Sequence, residues 1–427
     1  MKKTVGLFTN WYPTKENPYN GVFFKEQTFA LRDEFDFLIF HYHEHFRLFG
    51  HGFSAEATNR EENTVEYDIS VPVPLRVYAA DLLATLKGRL TPSRRTSMAQ
   101  VSTVHRYRFR KKIVEKVFSG DLADKLDVLY CVDAQSEAGL VRLAAEHLHK
   151  PYVISEHGPF PWPGSVLDSY ARDSMEKAGA FLAISYDKIR QIMIQNVRLP
   201  QVFYVGNMVD ESQFSLRPEP PAGHVKTFVI VAANSFYKNY ELFIRVMDRL
   251  TEITDIPFRV RIVGYAANKG YSQDREDFEN RISRSRFADR AELIPEAPHD
   301  RIAAYLHGAD AFVMTSIQEG QPVSALEAAC CGLPVFSTRC GGVEDYVTDE
   351  LGRIFPVTEV EAFADALRQF LEGALSFDAR VIRGRIIEQF GKEAFVKRMS
   401  RVFLDVIGGS GIGEAAEIPS SSTARLP

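Results

Sequence analysis

An α/β fold built from two domains is what this sequence predicts, and three observations lead there. Short apolar runs alternate with helical stretches of ten or more residues, the rhythm of parallel strands crossed by helices. The chain has 427 residues, too many for one ordinary core. A segment at 211–224, ESQFSLRPEPPAGH, carries three prolines and a glycine and interrupts the rhythm.

The elements follow in order. Thr4 to Asn10 (TVGLFTN) reads as a buried strand, followed by the loop WYPTKENPYNG. That loop ends at Gly21, where a helix with Phe23, Phe24, Phe29 and Leu31 on its apolar face begins. Gly21 is a candidate phosphate neighbour, although the three-glycine dinucleotide fingerprint is missing. An ordinary loop glycine explains it as well. Phe35 to His43 is the next strand, and His41, His43 and His45 alternate along it. Their shared face would suit a metal, but no carboxylate–histidine helix motif accompanies them, and solvated strand-end histidines are the plainer reading. Val65 to Val73 is a strand ended by prolines. Lys125 to Asp133 and Pro151 to His157 are strands flanking the helix SEAGLVRLAAEHLHK. His157 closes its strand inside SEHGPFPWPG, a rigid loop that makes it a site candidate. Ala180 to Tyr186, the helix DKIRQIMIQN and the strand Val202 to Asn207 complete this half.

After the break a second series starts with the strand Thr227 to Asn234, a loop holding Lys238, and the helix NYELFIRVMDRLTEI. The strand Phe258 to Gly264, a charged surface helix, the short strand AELIP and the helix HDRIAAYLHGAD follow. Two helices, near 362–373 and 393–407, precede a Gly-, Ser- and Ala-rich tail of disordered composition.

The stretch from Thr315 to Val347 carries the chemistry. A strand, AFVMTS, leads through Glu319 and Gly320 into an apolar helix. Pro322 is expected at the first helical position, where its missing N–H costs nothing. Gly332 suits the position just past the helix end. Glu319 precedes the helix and Glu327 falls in its second turn, so both can face a cleft at the carboxyl edge of a sheet. Backbone N–H groups of the first turn point into that cleft and favour an anion. Such a site could hold sugar-like hydroxyls on its carboxylates and a phosphate at the helix end.

Composition narrows the classes. A net charge of −5 argues against a globally basic nucleic-acid binder. The four cysteines show no zinc-type spacing and read as reduced thiols of a cytosolic protein. The basic N-terminus has too short an apolar run for a signal peptide. No run of about twenty apolar residues predicts a spanning helix. Residues 82–114 stand apart, with nine Lys or Arg and no Asp or Glu. Leu82, Leu83, Leu86 and Leu90 lie at helical spacing before the basic part. This stretch would suit an anionic membrane surface or a phosphate-bearing acceptor, and a solvated basic helix explains it equally. Tyr107 and Phe109 leave an RNA-binding arm as a weaker reading.

The chain resembles retaining, nucleotide-sugar-dependent glycosyltransferases of family 4, whose fold is the GT-B architecture of two facing Rossmann-like domains. The residues that carry the resemblance are Glu319 to Glu327 within EGQPVSALEAACCGLPVFSTRCGG, with YKNYELFI around Lys238, HGADAFVMTS, VFYVGNMVDESQF, and VISEHG around His157. The first loop, NWYPTKENPYNGVFFKEQ, is similar to the bacterial polysaccharide-assembly branch. The resemblance implies an acceptor-side domain at 1–210, a linker at 211–224 and a nucleotide-sugar domain at 225–380. A terminal helical segment at 381–407 would pack back on the first domain, before a tail at 408–427. The active site would lie in the interdomain cleft.

It also implies roles. Glu327 would hold the ribose hydroxyls, and Glu319 hydroxyls of the transferred sugar. Amides of Gly320, Gln321, Val323 and Ser324, around Pro322, would contact the sugar and the distal phosphate. Lys238 would neutralise charge growing on the departing diphosphate. Gly21 would let backbone approach that diphosphate, and His157 would line the sugar pocket. Neither a metal nor a cofactor is implied beyond the nucleotide-diphosphate sugar as co-substrate. The acceptor would be a glycan or a lipid-linked one, and the protein cytoplasmic, peripheral at the inner face of the membrane. The sequence departs from the family where AANSFYK lacks the Arg that usually precedes the Lys, and where the EGFGLP form is replaced by EGQPVS. Arg339 is a candidate substitute cation, and Gln321 a candidate for shaping the sugar pocket. A non-catalytic GT-B scaffold subunit and a Rossmann oxidoreductase stay open as alternatives.

Overall fold

A computed structural model describes residues 2–13, 20–46, 52–61, 63–89, 104–158, 160, 167, 169–266 and 275–409. Two sheets organise them. The first comprises β1 (Lys3–Phe8), β2 (Phe35–Phe46), β3 (Ser54–Glu61), β4 (Thr64–Val73), β5 (Val128–Cys131), β6 (Tyr152–Ser155), β7 (Ala180–Ala183) and β8 (Val202–Tyr204). Its order is β3-β4-β2-β1-β5-β6-β7-β8. The second comprises β9 (Lys226–Val231), β10 (Phe258–Val263), β11 (Ala291–Ile294), β12 (Ala311–Met314), β13 (Val335–Thr338) and β14 (Gly352–Phe355), in the order β11-β10-β9-β12-β13-β14. Every pairing is parallel except β3 on β4. The sequence reading did not find β3. Its residues, SAEATNRE, are all exposed, so no apolar alternation marks it. A polar edge strand of this kind also discourages pairing with another chain.

The helices are α1 (Val22–Leu31), α2 (Leu75–Arg89), α3 (Val104–Val117), α4 (Asp121–Lys125), α5 (Ala138–Leu148), α6 (Ser169–Glu176) and α7 (Tyr186–Ile194) in the first half. In the second they are α8 (Tyr240–Ile253), α9 (Arg275–Ser283), α10 (His299–His307), α11 (Val323–Cys330), α12 (Val360–Glu372), α13 (Ala379–Phe390) and α14 (Lys392–Gly408). Local chemistry sets several of them. Asn239 caps α8, its side chain accepting the Leu242 N–H at 3.3 Å, and the helix buries Tyr240, Phe243, Met247 and Leu250 at helical spacing. Helix α13 overlaps the helical segment expected at 381–407, but its Ile382, Ile386 and Phe390 pack into the core of the second half rather than back on the first.

Helix α14 follows the second sheet in sequence but packs on the first. Phe395, Met399, Val402, Phe403 and Val406 are buried in one cluster with Val5, Phe35, Val128 and Tyr130. The Phe403 ring meets Phe35 edge-on at 5.4 Å. Each such side chain contributes about 1.5–3 kcal/mol of burial. The chain therefore passes between the sheets twice, and the passes adjoin: the Val209 N–H donates to the Phe390 carbonyl at 2.9 Å.

The second sheet, counted within itself, has the doubly wound order 3-2-1-4-5-6. Its order reverses between β9 and β12, so the loops after those strands diverge around a crevice. In the first sheet the reversal lies between β1 and β5. The tail beyond 409, residues 14–19 of the first loop and residues 90–103 of the basic stretch lie outside the described residues.

Candidate active site between the two sheets

Lys238 and Glu319 meet at the reversal point of the second sheet. Lys238 ends a single 3₁₀ turn (Phe236–Lys238) after β9, and Glu319 sits in the loop after β12. The Lys238 Nζ lies 2.6 Å from Glu319 Oε1. The two loops are laced together. Ile317 N–H donates to the Tyr237 carbonyl at 2.7 Å, and Thr315 Oγ1 donates to the carbonyls of Lys238 and Asn239 at 3.1 and 3.2 Å. Both charged side chains stay within reach of solvent, at 28% and 13% exposure. An ammonium has three N–H donors, so the Glu319 bond leaves two for a ligand.

Helix α11 begins one residue later than the sequence suggested. Pro322 is the N-cap, with extended backbone (ψ 111°), and its carbonyl accepts the Ala325 N–H at 3.2 Å. The Val323 and Ser324 amides thus open the helix without intrahelical partners, where an anion is favoured. Gly320 is required here by crowding. A Cβ on it would lie 2.8 Å from the His157 carbonyl oxygen and 2.8 Å from Ile184 Cδ1. The glycine lets the two carboxyl edges touch. The Gln321 side chain is buried and turned toward the strand exit of the first sheet. Its Oε1 accepts the Asn207 N–H and its Nε2 donates to the Tyr204 hydroxyl at 3.1 Å, while Asn207 Nδ2 donates to the Gln321 carbonyl at 2.8 Å. That amide clamps the halves together.

His157 stands at the end of β6, its ring edge-on to Phe24 at 4.7 Å. Its Nε2 lies 3.0 Å from Ser155 Oγ, which lies 3.0 Å from the Tyr130 hydroxyl. Buried Tyr130 has no other hydrogen-bond partner among the described residues, and either hydroxyl of this pair can donate. Either nitrogen of the neutral ring can carry its proton, Nε2 toward Ser155 or Nδ1. That Nδ1 is buried without a partner among the described residues. Burial first, and then the Lys188 charge, hold the imidazole down to about 3, so it is neutral. Lys188, itself buried, donates to the Gly158 carbonyl and steadies the loop from behind.

Glu327 is buried, and its partner is a residue the sequence reading did not single out. His299, the first residue of α10, places Nε2 2.7 Å from Glu327 Oε1 and Nδ1 3.0 Å from Glu26 Oε1 on α1. Burial lowers the affinity of His299 for its proton, but the two carboxylates prevail and lift it to about 10. No motif marks this histidine; its place at a helix start after AELIPEAP was the sole available signal. Gly21 caps α1 with φ +63°, and a Cβ would fall 2.2 Å from the Trp11 carbonyl, so glycine is dictated twice there. Arg339 is exposed after β13, close enough to oppose the burial that raises Glu344 to about 7.

The remaining candidates are dispersed. His41 is buried, its Nδ1 2.9 Å from the Thr9 carbonyl, while His43 and His45 lie by Asp68 and Ser70. No group of three metal-capable side chains forms among the described residues. In the basic stretch, Arg106 and Arg110 both bind Glu44, and Arg106 also binds Asp81. Tyr107 and Phe109 pack on the core, which removes the aromatics an RNA arm would present. Leu82 and Leu83 on α2 and His105, Arg108, Lys111 and Lys112 on α3 are exposed. No helix among the described residues is long and apolar enough to cross a membrane.

Residues 212–386 match the family model for glycosyl transferases group 1. The lipopolysaccharide 1,6-galactosyltransferase of Escherichia coli K12 is 23% identical over 291 residues, 66% of this chain and 75% of the relative. Three other curated relatives match 31 to 41% of this chain, which spans only 28 to 40% of their length. Among solved structures, sucrose-phosphate synthase from Thermosynechococcus elongatus has a TM-score of 0.68 at 14% identity, covering 96% of this chain and 100% of that one. HepE from Anabaena in complex with UDP-glucose has a TM-score of 0.62 at 13% identity, covering 95% and 100%. At such identities the likeness shows the fold, which is the GT-B arrangement.

Proposed function

We propose, from the match of residues 212–386 to the model for glycosyl transferases group 1, that this protein moves a sugar from a nucleotide-diphosphate sugar to a glycan or lipid-linked acceptor of cell-surface polysaccharide synthesis, with retention at the anomeric carbon. The observation that carries the reading is the Lys238–Glu319 pair, 2.6 Å apart beside the free amides of α11. The pair and the helix start offer a cation and N–H donors to a leaving diphosphate and a carboxylate to sugar hydroxyls. Breaking the anomeric C–O bond moves negative charge onto the nucleotide, where donors already in position are most effective. Neutral His157, with its Nδ1 unclaimed, would exchange a hydrogen bond with a sugar hydroxyl. Glu327 would take ribose hydroxyls. On the same face, the departing diphosphate would accept the acceptor proton; isolation of a covalent glycosyl-enzyme would overturn that step.

A panel of UDP-, GDP- and ADP-sugars tests the reading by thermal shift. A ligand at a hundred times its Kd adds about 2.7 kcal/mol to the native state. At least one of these sugars is expected to raise the melting midpoint and to be consumed when an acceptor extract is added. UDP-glucose is the first to try, since HepE carries it. A donor that binds but is neither hydrolysed nor transferred would favour the scaffold alternative, which the missing Arg motivates. The exposed leucines of α2 beside the exposed bases of α3 further support a peripheral contact with anionic lipid, cytoplasmic in orientation. Cosedimentation with phosphatidylglycerol vesicles is expected at low salt and should weaken as salt rises; absence of binding at low salt would remove this element.

A further inference from the structure

We propose that His299 is a positioning residue that holds the Glu327 carboxylate for the ribose and ties it to helix α1 of the first sheet through Glu26. The inference rests on the nucleotide-sugar reading above and adds the coupling between the halves. Its geometry is specific. Each ring nitrogen of His299 faces a carboxylate oxygen, at 2.7 Å to Glu327 and 3.0 Å to Glu26. The Gln213 amide Nε2 also lies 3.4 Å from Nδ1, and the two flanking carboxylates favour the imidazolium. The surroundings hold it in place. The Phe214 ring meets it edge-on at 5.6 Å, and Gln213 Nε2 donates to the His299 carbonyl at 3.2 Å.

Glu327 is only 4% exposed, and a buried carboxylate deprived of its counter-charge would swing or take up a proton. His299 occupies Oε1 alone, and Oε2 makes no hydrogen bond among the described residues. One oxygen is therefore pinned and the other left to accept from a hydroxyl. Glu26 stands on the helix that Gly21 caps, so the bridge runs from the first sheet's crevice to the second's. Ribose capture then depends on how α1 and α10 face each other, although Glu26 itself has no role on the nucleotide.

The test is calorimetric titration of the full chain with UDP and GDP and with their 2′,3′-dideoxy forms. Wild type is expected to prefer the hydroxylated form of its nucleotide by about 10- to 100-fold, the value of a hydrogen bond to a charged group. His299→Ala should erase most of that preference while affinity for the dideoxy form changes little. Glu26→Gln, at the half-exposed end of the bridge, should erase part of it and serves if the first variant folds poorly. A general loss of stability would weaken both forms alike and spare their ratio. Retention of the wild-type ratio in both variants would overturn the inference while leaving the nucleotide reading intact. Binding of neither nucleotide by wild type, or binding with no hydroxyl preference, would overturn the reading of Glu327 and this inference with it.

Discussion

Replacing Lys238 by Ala is expected to lower kcat by about 10²–10³-fold, the usual cost of losing one preorganised charge-stabilising donor. In AANSFYK no Arg accompanies the lysine, and Arg339 is exposed beyond β13, where it lies near Glu344. The charge on a leaving diphosphate would then be met by one ammonium and the first amides of α11. One of the three ammonium protons is already spent on Glu319, which keeps Nζ aimed into the crevice. Arg is not an equivalent replacement, because its planar fork fixes the directions of its donors and its charge sits further from the backbone, whereas an ammonium turns three donors about one point. Lys238→Arg should recover only part of the rate. The measurement is steady-state turnover of the donor found in the thermal-shift panel, with the melting midpoint of each variant alongside. Lys238 is half-buried on a short turn, so the midpoint should move little. Near-wild-type turnover in Lys238→Ala would refute the site.

The architecture was legible because its signals are local. Apolar runs such as TFVIVAAN and FRVRIVG lie at spacings that only parallel strands with crossover helices satisfy, and the observed sheets contain them. Glu319 and Lys238 were legible for a related reason. Each follows a strand directly, and the strand order carries both to one crevice whatever the side chains between them. Strand β3 failed for want of a pattern: a polar edge strand is held by the backbone of β4, and backbone hydrogen bonds leave no trace in residue type. Pro322 moved by one position because both the N-cap and the first turn tolerate a missing N–H.

His299 and Gln321 were opaque for another reason. Their partners lie far away in sequence, His299 with Glu26 and Gln321 with Asn207. Nothing near either residue announces the pairing. Gln321 was expected to shape the sugar pocket, yet its side-chain amide is engaged by Asn207 and Tyr204 and its carbonyl by Asn207, which leaves its backbone N–H for a ligand. The basic stretch divides similarly. Charge counting treats its arginines alike, but Arg106 and Arg110 serve Glu44 inside the fold, and only the exposed remainder can meet a surface.

Glu319→Ala is expected to match the Lys238 variant in the size of its loss, at about 10²–10³-fold in kcat, but by a different route. A carboxylate that accepts from sugar hydroxyls gains strength as the ring becomes oxocarbenium-like, so its removal strikes the transition state more than the bound donor. Affinity for the nucleotide diphosphate without its sugar should therefore change little in Glu319→Ala, whereas Lys238→Ala should weaken it. Glu319→Gln keeps the size and one acceptor oxygen but loses the charge, and should fall between. The two residues also share one hydrogen bond at 2.6 Å, so their losses cannot be independent. In Glu319→Ala the ammonium is freed and can settle on the diphosphate in an altered position. The double variant should accordingly lose less than the product of the single losses, a coupling that a double-mutant cycle on kcat measures directly. Strict multiplicativity would mean that the pair acts as two separate groups. Intact turnover in Glu319→Ala would show that its carboxylate only anchors Lys238 and touches no sugar.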